Sequence, residues 1–154
     1  MTDQLGRKSL PLLAIDVATR GDALPLSGRT KLTKLVYLAQ EEAHDAVARM
    51  ISPDPFYDFE PYHYGPFSRG LLGDLEILEG EGLLSVKFQK LDSQGRITQY
   101  LYSLTVAGRA ALSKLEAETR EAAPVRGLLA KYASMDRSSL VDYIYSRYPN
   151  SVKV

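Results

Sequence analysis

The chain has 154 residues, one domain's worth of sequence with room for a real core, and an ordinary globular share of apolar and charged residues. Its 19 basic and 19 acidic residues cancel, so the basic surplus with which duplex-DNA binders neutralise phosphate is missing from the whole, although one basic face remains open. Cysteine is absent, which removes disulfides, thiolate metal sites and thiol nucleophiles. No apolar run approaches the roughly 20 residues that cross a bilayer, so the expectation is a cytoplasmic protein with no membrane contact.

Residues 1–8 are polar and read as frayed. Residues 9–18 (SLPLLAIDVA) have no useful basic leader and are interrupted by Asp16, so they read as a buried helix rather than a signal peptide. Ser9 caps it, Pro11 sits in its first turn, and Gly21 follows Arg20 as a C-terminal cap. Ala23 to Ser27 crosses in extended form. A longer helix is predicted from Gly28-Arg29-Thr30 to about Met50, with Leu32, Leu35, Val36, Leu38, Ala39, Ala43, Val47 and Met50 on its apolar side. Arg29, Lys31 and Lys34 crowd its N-terminal end, against the helix dipole. Either the mismatch is tolerated, or this end meets an anion or an acidic partner.

Ser52-Pro53-Asp54-Pro55 ends that helix. In the aromatic run Phe56 to Tyr64, Tyr57 and Phe59 alternate with Asp58 and Glu60 as in a half-buried strand, and Pro61 limits it to an edge. Gly65-Pro66 and Gly82 then bracket a helix whose stripe is Phe67, Leu71, Leu72, Leu75 and Leu78. Ser68 is its cap, and Arg69 is in reach of Asp58 or Glu60. Ser85 to Gln89 and Thr98 to Leu104 read as two strands joined at Asp92 to Gly95. Helix, strand, turn, strand is the second half of a winged helix, with Asp92 to Gly95 as the wing tip. Thr105 caps a further helix to about Ala122, Pro124 interrupts, Val125 to Ala133 forms a short helix, and Ser138 or Ser139 caps a last one ending at Tyr148-Pro149. The expected fold class is α+β: a single winged-helix-like domain over 1–154, with its winged-helix portion in 1–122 and a C-terminal helical extension in 123–154.

Two phrases carry a resemblance. Leu75-Glu76-Ile77-Leu78-Glu79-Gly80-Glu81-Gly82-Leu83-Leu84 and Tyr102-Ser103-Leu104-Thr105-Val106-Ala107-Gly108-Arg109 resemble the recognition-helix ending and second wing strand of winged helix-turn-helix regulators. A closer likeness covers most of the chain. Gly28 to Leu38, Phe59 to Ser68 and Leu140 to Pro149 resemble, in order, the opening, central and C-terminal phrases of the YwgA-like family. That resemblance implies a small prokaryotic protein related to Panacea antitoxin domains. More distantly, the chain is similar to the C-terminal half of antitoxins that restrain DNA-modifying ADP-ribosyltransferase toxins. The resemblance supplies no catalytic residues, so the expectation is not an enzyme and no cofactor.

Two surfaces follow. The central helix carries one basic residue, Arg69, against Asp74, Glu76, Glu79 and Glu81, which suits a basic protein partner better than a major groove. With Tyr57, Phe59, Tyr62, His63 and Tyr64 it forms the candidate protein-binding set, its partner a toxin or another nucleic-acid-acting enzyme. The alternative is a DNA- or single-strand-binding regulator using Arg29, Lys31 and Lys34 with wing residues Lys87, Lys90 and Arg96. His44 and His63 stand apart without framing carboxylates, so no metal site is expected. Tyr145, Tyr148 and the tail Ser151 to Val154 are a candidate homodimer patch.

Overall fold

The computed structural model describes residues 5–20, 24–63, 65–90, 92–94 and 97–152. Among these the chain is α+β. In order come a 3-10 turn (Gly6–Lys8), α1 (Ser9–Arg20), β1 (Leu26–Ser27), α2 (Arg29–Glu42), α3 (His44–Ile51), β2 (Glu60–Tyr62) and β3 (Gly65–Phe67). Then follow α4 (Arg69–Gly80), β4 (Leu84–Lys90), β5 (Ile97–Leu104), α5 (Val106–Glu118), α6 (Ala122–Ala133), α7 (Arg137–Arg147) and a final 3-10 turn (Pro149–Ser151). β1, β5 and β4 form one antiparallel sheet in that order, and β2 and β3 a separate hairpin.

The core is built around α1. Every residue from Ser9 to Asp16 is buried, as expected of a helix covered on all sides. α6 packs against α1, α2 and α3, and its Val125, Leu129 and Tyr132 share one apolar cluster with Leu10, Leu35 and Leu78. Leu140 and Ile144 of α7 belong to the same cluster. Asp16 enters this core at 2% side-chain exposure, and Arg126 of α6 bridges it to Glu116 of α5, with all three hydrogen bonds at 2.7–2.8 Å. At the other end of α6, the Glu42 carboxylate accepts hydrogen bonds from three phenols: Tyr132, Tyr143 at 2.6 Å and Tyr148 at 2.6 Å.

The elements differ locally from the sequence expectations. Residues 5–8 are ordered: Leu5 is buried, and Lys8 pairs with Glu81 at 3.2 Å. Ser9 lies inside the helical path, its hydroxyl donating to the Gly6 carbonyl at 2.8 Å instead of capping. The long helix is two, because Ala43 leaves helical geometry at φ −125°, ψ 42° and α3 starts anew. Gly65-Pro66-Phe67 is a strand paired with Glu60–Tyr62, so Phe67 does not belong to the helical stripe. Pro124 falls in the first turn of α6, where its missing N–H costs nothing, and does not interrupt it. The cap of α7 is Asp136, whose carboxylate accepts from the Ser139 amide at 2.7 Å. The homodimer patch is largely tied down: Tyr148 bonds Glu42, Ser151 is buried, and Val152 forms a parallel bridge with Tyr62. Gly21, Gly95, Val154 and Lys153 lie outside the described residues.

The two phrases that resemble winged-helix regulators meet in space. α4 closes at Gly82, whose φ of +78° suits glycine, with the Leu83 amide donating back to the Leu78 carbonyl at 3.0 Å. Thr105 donates its hydroxyl to the Gly82 carbonyl at 2.7 Å and accepts from the Gly108 amide at 2.9 Å. Gly108 packs directly on the Leu83 carbonyl, where a Cβ would overlap the oxygen.

Candidate functional site

The site is built on α4. Its start is fixed by Ser68, which accepts from the Leu71 amide at 3.2 Å as the sequence led one to expect. Leu71, Leu75 and Leu78 face the core. Asp74 also faces inward and is only 7% exposed. Its carboxylate accepts from the Arg7 Nε at 2.9 Å and the Tyr57 hydroxyl at 2.7 Å. Tyr57 is buried under the Arg7 guanidinium, 4.6 Å from the ring centroid. Its backbone is held at both ends by Gln40, through bonds of 2.8 Å and 3.1 Å. Burial, then the adjacent Asp74 charge, pushes the Tyr57 phenol well above its ordinary pKa, so it remains a donor. Tyr57 and Asp74 are thus not available to a partner. They lock α4 to the N-terminal turn, and what hid this was Arg7, a residue in a stretch that reads as a polar tail. Glu81 is likewise drawn off the presumed acidic face by Lys8.

Glu76 and Glu79 do remain exposed, with Ile77 between them at 48% exposure. Leu72, Glu76 and Glu79 form one wall of a cleft whose other wall is the sheet, at Val86, Tyr100 and Tyr102, with Arg29 at its end. The sheet wall follows from register. Leu84 faces Leu104, Val86 faces Tyr102 and Phe88 faces Tyr100, so these six residues share one side. That apolar row runs outward from the core, from Leu84 at 2% exposure to Phe88 at 55%. Burial raises the Tyr102 phenol pKa; Arg29 opposes this, while Tyr100 and Glu79 add to it.

Arg29 also belongs to a neighbouring cleft with Thr33, Tyr62, Phe67 and Leu72. Tyr62 is 45% exposed and packs on Phe67 at 5.2 Å between centroids. Of the other residues expected on this side, Phe59 is half-buried in edge contact with Tyr37 at 5.2 Å. His63 is exposed, its carbonyl accepting from the Tyr145 hydroxyl at 3.4 Å. Arg69 is exposed, and among the described residues it pairs with neither Asp58 nor Glu60. Tyr64 lies outside the described residues.

The basic residues do not make one edge. The Arg29 guanidinium stacks over the Tyr100 ring at 4.4 Å. Lys31 donates to the Ala133 carbonyl at 3.1 Å, at the end of α6. Lys34 is buried at 3% exposure, its Cε 3.6 Å from where a Gly65 Cβ would sit. Lys87 pairs opposite Leu101, on the face of the sheet away from Tyr100 and so away from Arg29. The Lys90 side chain and Arg96 lie outside the described residues. Among the described residues no group of three or more His, Asp or Glu side chains is placed to hold a metal ion, and no helix is long and apolar enough to cross a membrane. A scan against protein-family models and a search of curated proteins find no match to this chain.

Proposed function

We propose that the chain is a non-catalytic, antitoxin-like regulator of the cytoplasm that captures a partner protein in the cleft between α4 and the sheet. The observation that carries this is the exposed end of an apolar row, Val86 and Phe88 with Tyr100, beside a helix face bearing Glu76 and Glu79. Apolar floor with an acidic rim suits a basic amphipathic segment of a protein. It is a poor fit to a duplex, because two carboxylates set against phosphates and base-edge acceptors repel by about 1 kcal/mol each even in water. The exposed hairpin residue Tyr62 extends the same side through the neighbouring cleft that shares Arg29 and Leu72.

A winged-helix-like fold supports the placement. That winged-helix-like fold is part of the proposal, and the order α1, β1, α2 with α3, α4, then the β4–β5 hairpin, with the sheet order β1-β5-β4, supports it. In it α4 occupies the recognition-helix position and β4–β5 the wing. The same match is what keeps nucleic acid as the competing occupant.

The test is capture from the source cell with the wild type, the double variant Glu76→Lys/Glu79→Lys and the wing control Lys87→Glu. Binding of the purified captured protein is then titrated. Loss of affinity of roughly tenfold or more in the double variant alone is expected. In parallel, mixed duplex and single-stranded DNA are titrated across salt. Micromolar binding that weakens steeply with salt, and survives the double variant, would falsify the protein-capture reading.

A further inference from the structure

A second cavity of about 490 Å³ opens on the other side of Arg29, between the start of α2, the start of α7 and β5. Four cationic side chains line it, Arg29, Lys31 and Lys34 from α2 and Arg137 from α7, and none of its lining residues is an Asp or Glu. We propose that this cavity is a binding site for a phosphorylated small molecule of mononucleotide size.

Three things carry the inference. The first is charge: the chain as a whole has 19 basic and 19 acidic residues, so four cations around one concavity are a local concentration and not a sample of a basic protein. Lys34 is held at 3% exposure. Burial, and then the repulsion of Arg137, lower its pKa to about 8. An anion seated between Lys34 and Arg137 would offset their mutual repulsion.

The second is the backbone. Gly28 precedes α2 at φ +89°, makes no side-chain cap, and has open space where a Cβ would be. Gly28, Arg29, Thr30 and Lys31, around the start of α2, line the same concavity, and the unpaired first-turn amides of a helix are donors that suit an anion.

The third is shape. Leu140, Val141 and Tyr100 give the cavity an apolar and aromatic part, with the Arg29 guanidinium stacked on the Tyr100 ring. A volume of about 490 Å³ falls within the roughly 300–1,000 Å³ of small-molecule pockets, and exceeds what a bare phosphate needs. An anionic end and a flat apolar end are what a phosphate ester of a planar group presents.

The cavity shares Arg29 and Tyr100 with the cleft at α4, and the experiment keeps the two readings apart. Isothermal titration at low salt uses adenosine 5′-monophosphate, inorganic pyrophosphate, adenosine and a 5′-phosphorylated DNA oligonucleotide as probes. The expected result is saturable binding of the monophosphate, weaker binding of pyrophosphate, and none of adenosine. Arg137→Gln, at an exposed position, and Lys31→Gln each weaken the monophosphate by roughly tenfold, while Lys87→Glu and Glu76→Lys/Glu79→Lys leave it within about twofold. Equal binding of adenosine, or no binding of either phosphate compound at millimolar concentration, overturns the proposal. An oligonucleotide that binds far more tightly than the monophosphate, with affinity lost in Lys87→Glu as well, overturns it in favour of a nucleic-acid surface.

Discussion

Glu42→Gln is the substitution that tests most sharply how the C-terminal helices are held. One carboxylate at the end of α2 takes hydrogen bonds from Tyr132 of α6, Tyr143 of α7 and Tyr148 beyond α7. A hydrogen bond to a charged group contributes about 1.5–3 kcal/mol, against about 1 kcal/mol for a neutral pair. The amide keeps one acceptor oxygen but turns a nitrogen donor towards phenol donors. Glu42 is half-buried, which reduces the electrostatic part. The three bonds also share one acceptor group and are not additive. The expected loss is therefore about 2 kcal/mol at neutral pH rather than three full bonds. For a chain of this length that is a fall in Tm of about 4–8 °C.

The sign with pH is fixed. Burial alone would raise the Glu42 pKa, but the hydrogen bonds from Tyr132, Tyr143 and Tyr148 lower it below its ordinary value. A depressed carboxylate contributes stability that is present above its unfolded value of 4.5 and is lost as pH falls through the folded one. Urea unfolding followed by far-ultraviolet circular dichroism, at pH 7 and at steps down to pH 3, reads this directly. The gap between wild type and Glu42→Gln closes on the acid side. A gap that is absent at pH 7, or that persists unchanged at pH 3, refutes the charge-assisted account.

Gly108→Ala places a methyl group on the Leu83 carbonyl, which is backbone and cannot swing aside, so a loss of about 2–4 kcal/mol is expected in the same urea assay. Asp74→Asn gives Arg7 and Tyr57 one neutral amide oxygen in place of the carboxylate they share; about 2–3 kcal/mol is lost, and hydrogen exchange at Leu5 to Lys8 and at the start of α4 quickens together. Lys34 has a lowered pKa of about 8, so the unfolded chain binds its proton more tightly between that value and the ordinary 10.5. The wild type therefore gains stability relative to Lys34→Met as pH rises across that window, and the difference is level below pH 8.

Much of the chain was legible because its signals are local. The Gly82 stop, the Ser68 and Thr105 caps and the alternating strands are set by neighbours a few residues away, and each stands where the spacing puts it. What was hidden depends on partners far along the chain. Arg7 looks like a tail charge until Asp74, 67 residues on, takes it up. Asp74 looks like part of an acidic face for the same reason. Lys87 and Arg29 read as one basic edge because sequence gives their charge and not which side of the sheet each occupies. Gly65-Pro66 reads as a breaker, yet proline is tolerated in a two-stranded edge hairpin, and only the pairing with Glu60–Tyr62 reveals the strand. The cationic cavity needed α7, whose Arg137 lies more than a hundred residues beyond the α2 residues it joins.

The position of α6 sets an order of events during synthesis. α1 is emerged early, but its all-round apolar surface is covered by α6, and the Arg126–Asp16 bond spans 110 residues. Until residue 133 clears the ribosome, Leu10, Leu12, Leu13 and Ile15 lack a wall of their burial site. The β4–β5 hairpin and α4 with its caps have local contacts enough to form sooner. The nascent chain thus carries a half-built cleft next to an unclosed core, a state that invites chaperones and premature association. Stop-codon variants that end before α6 would leave the cell with an aggregation-prone fragment and not with a smaller working domain.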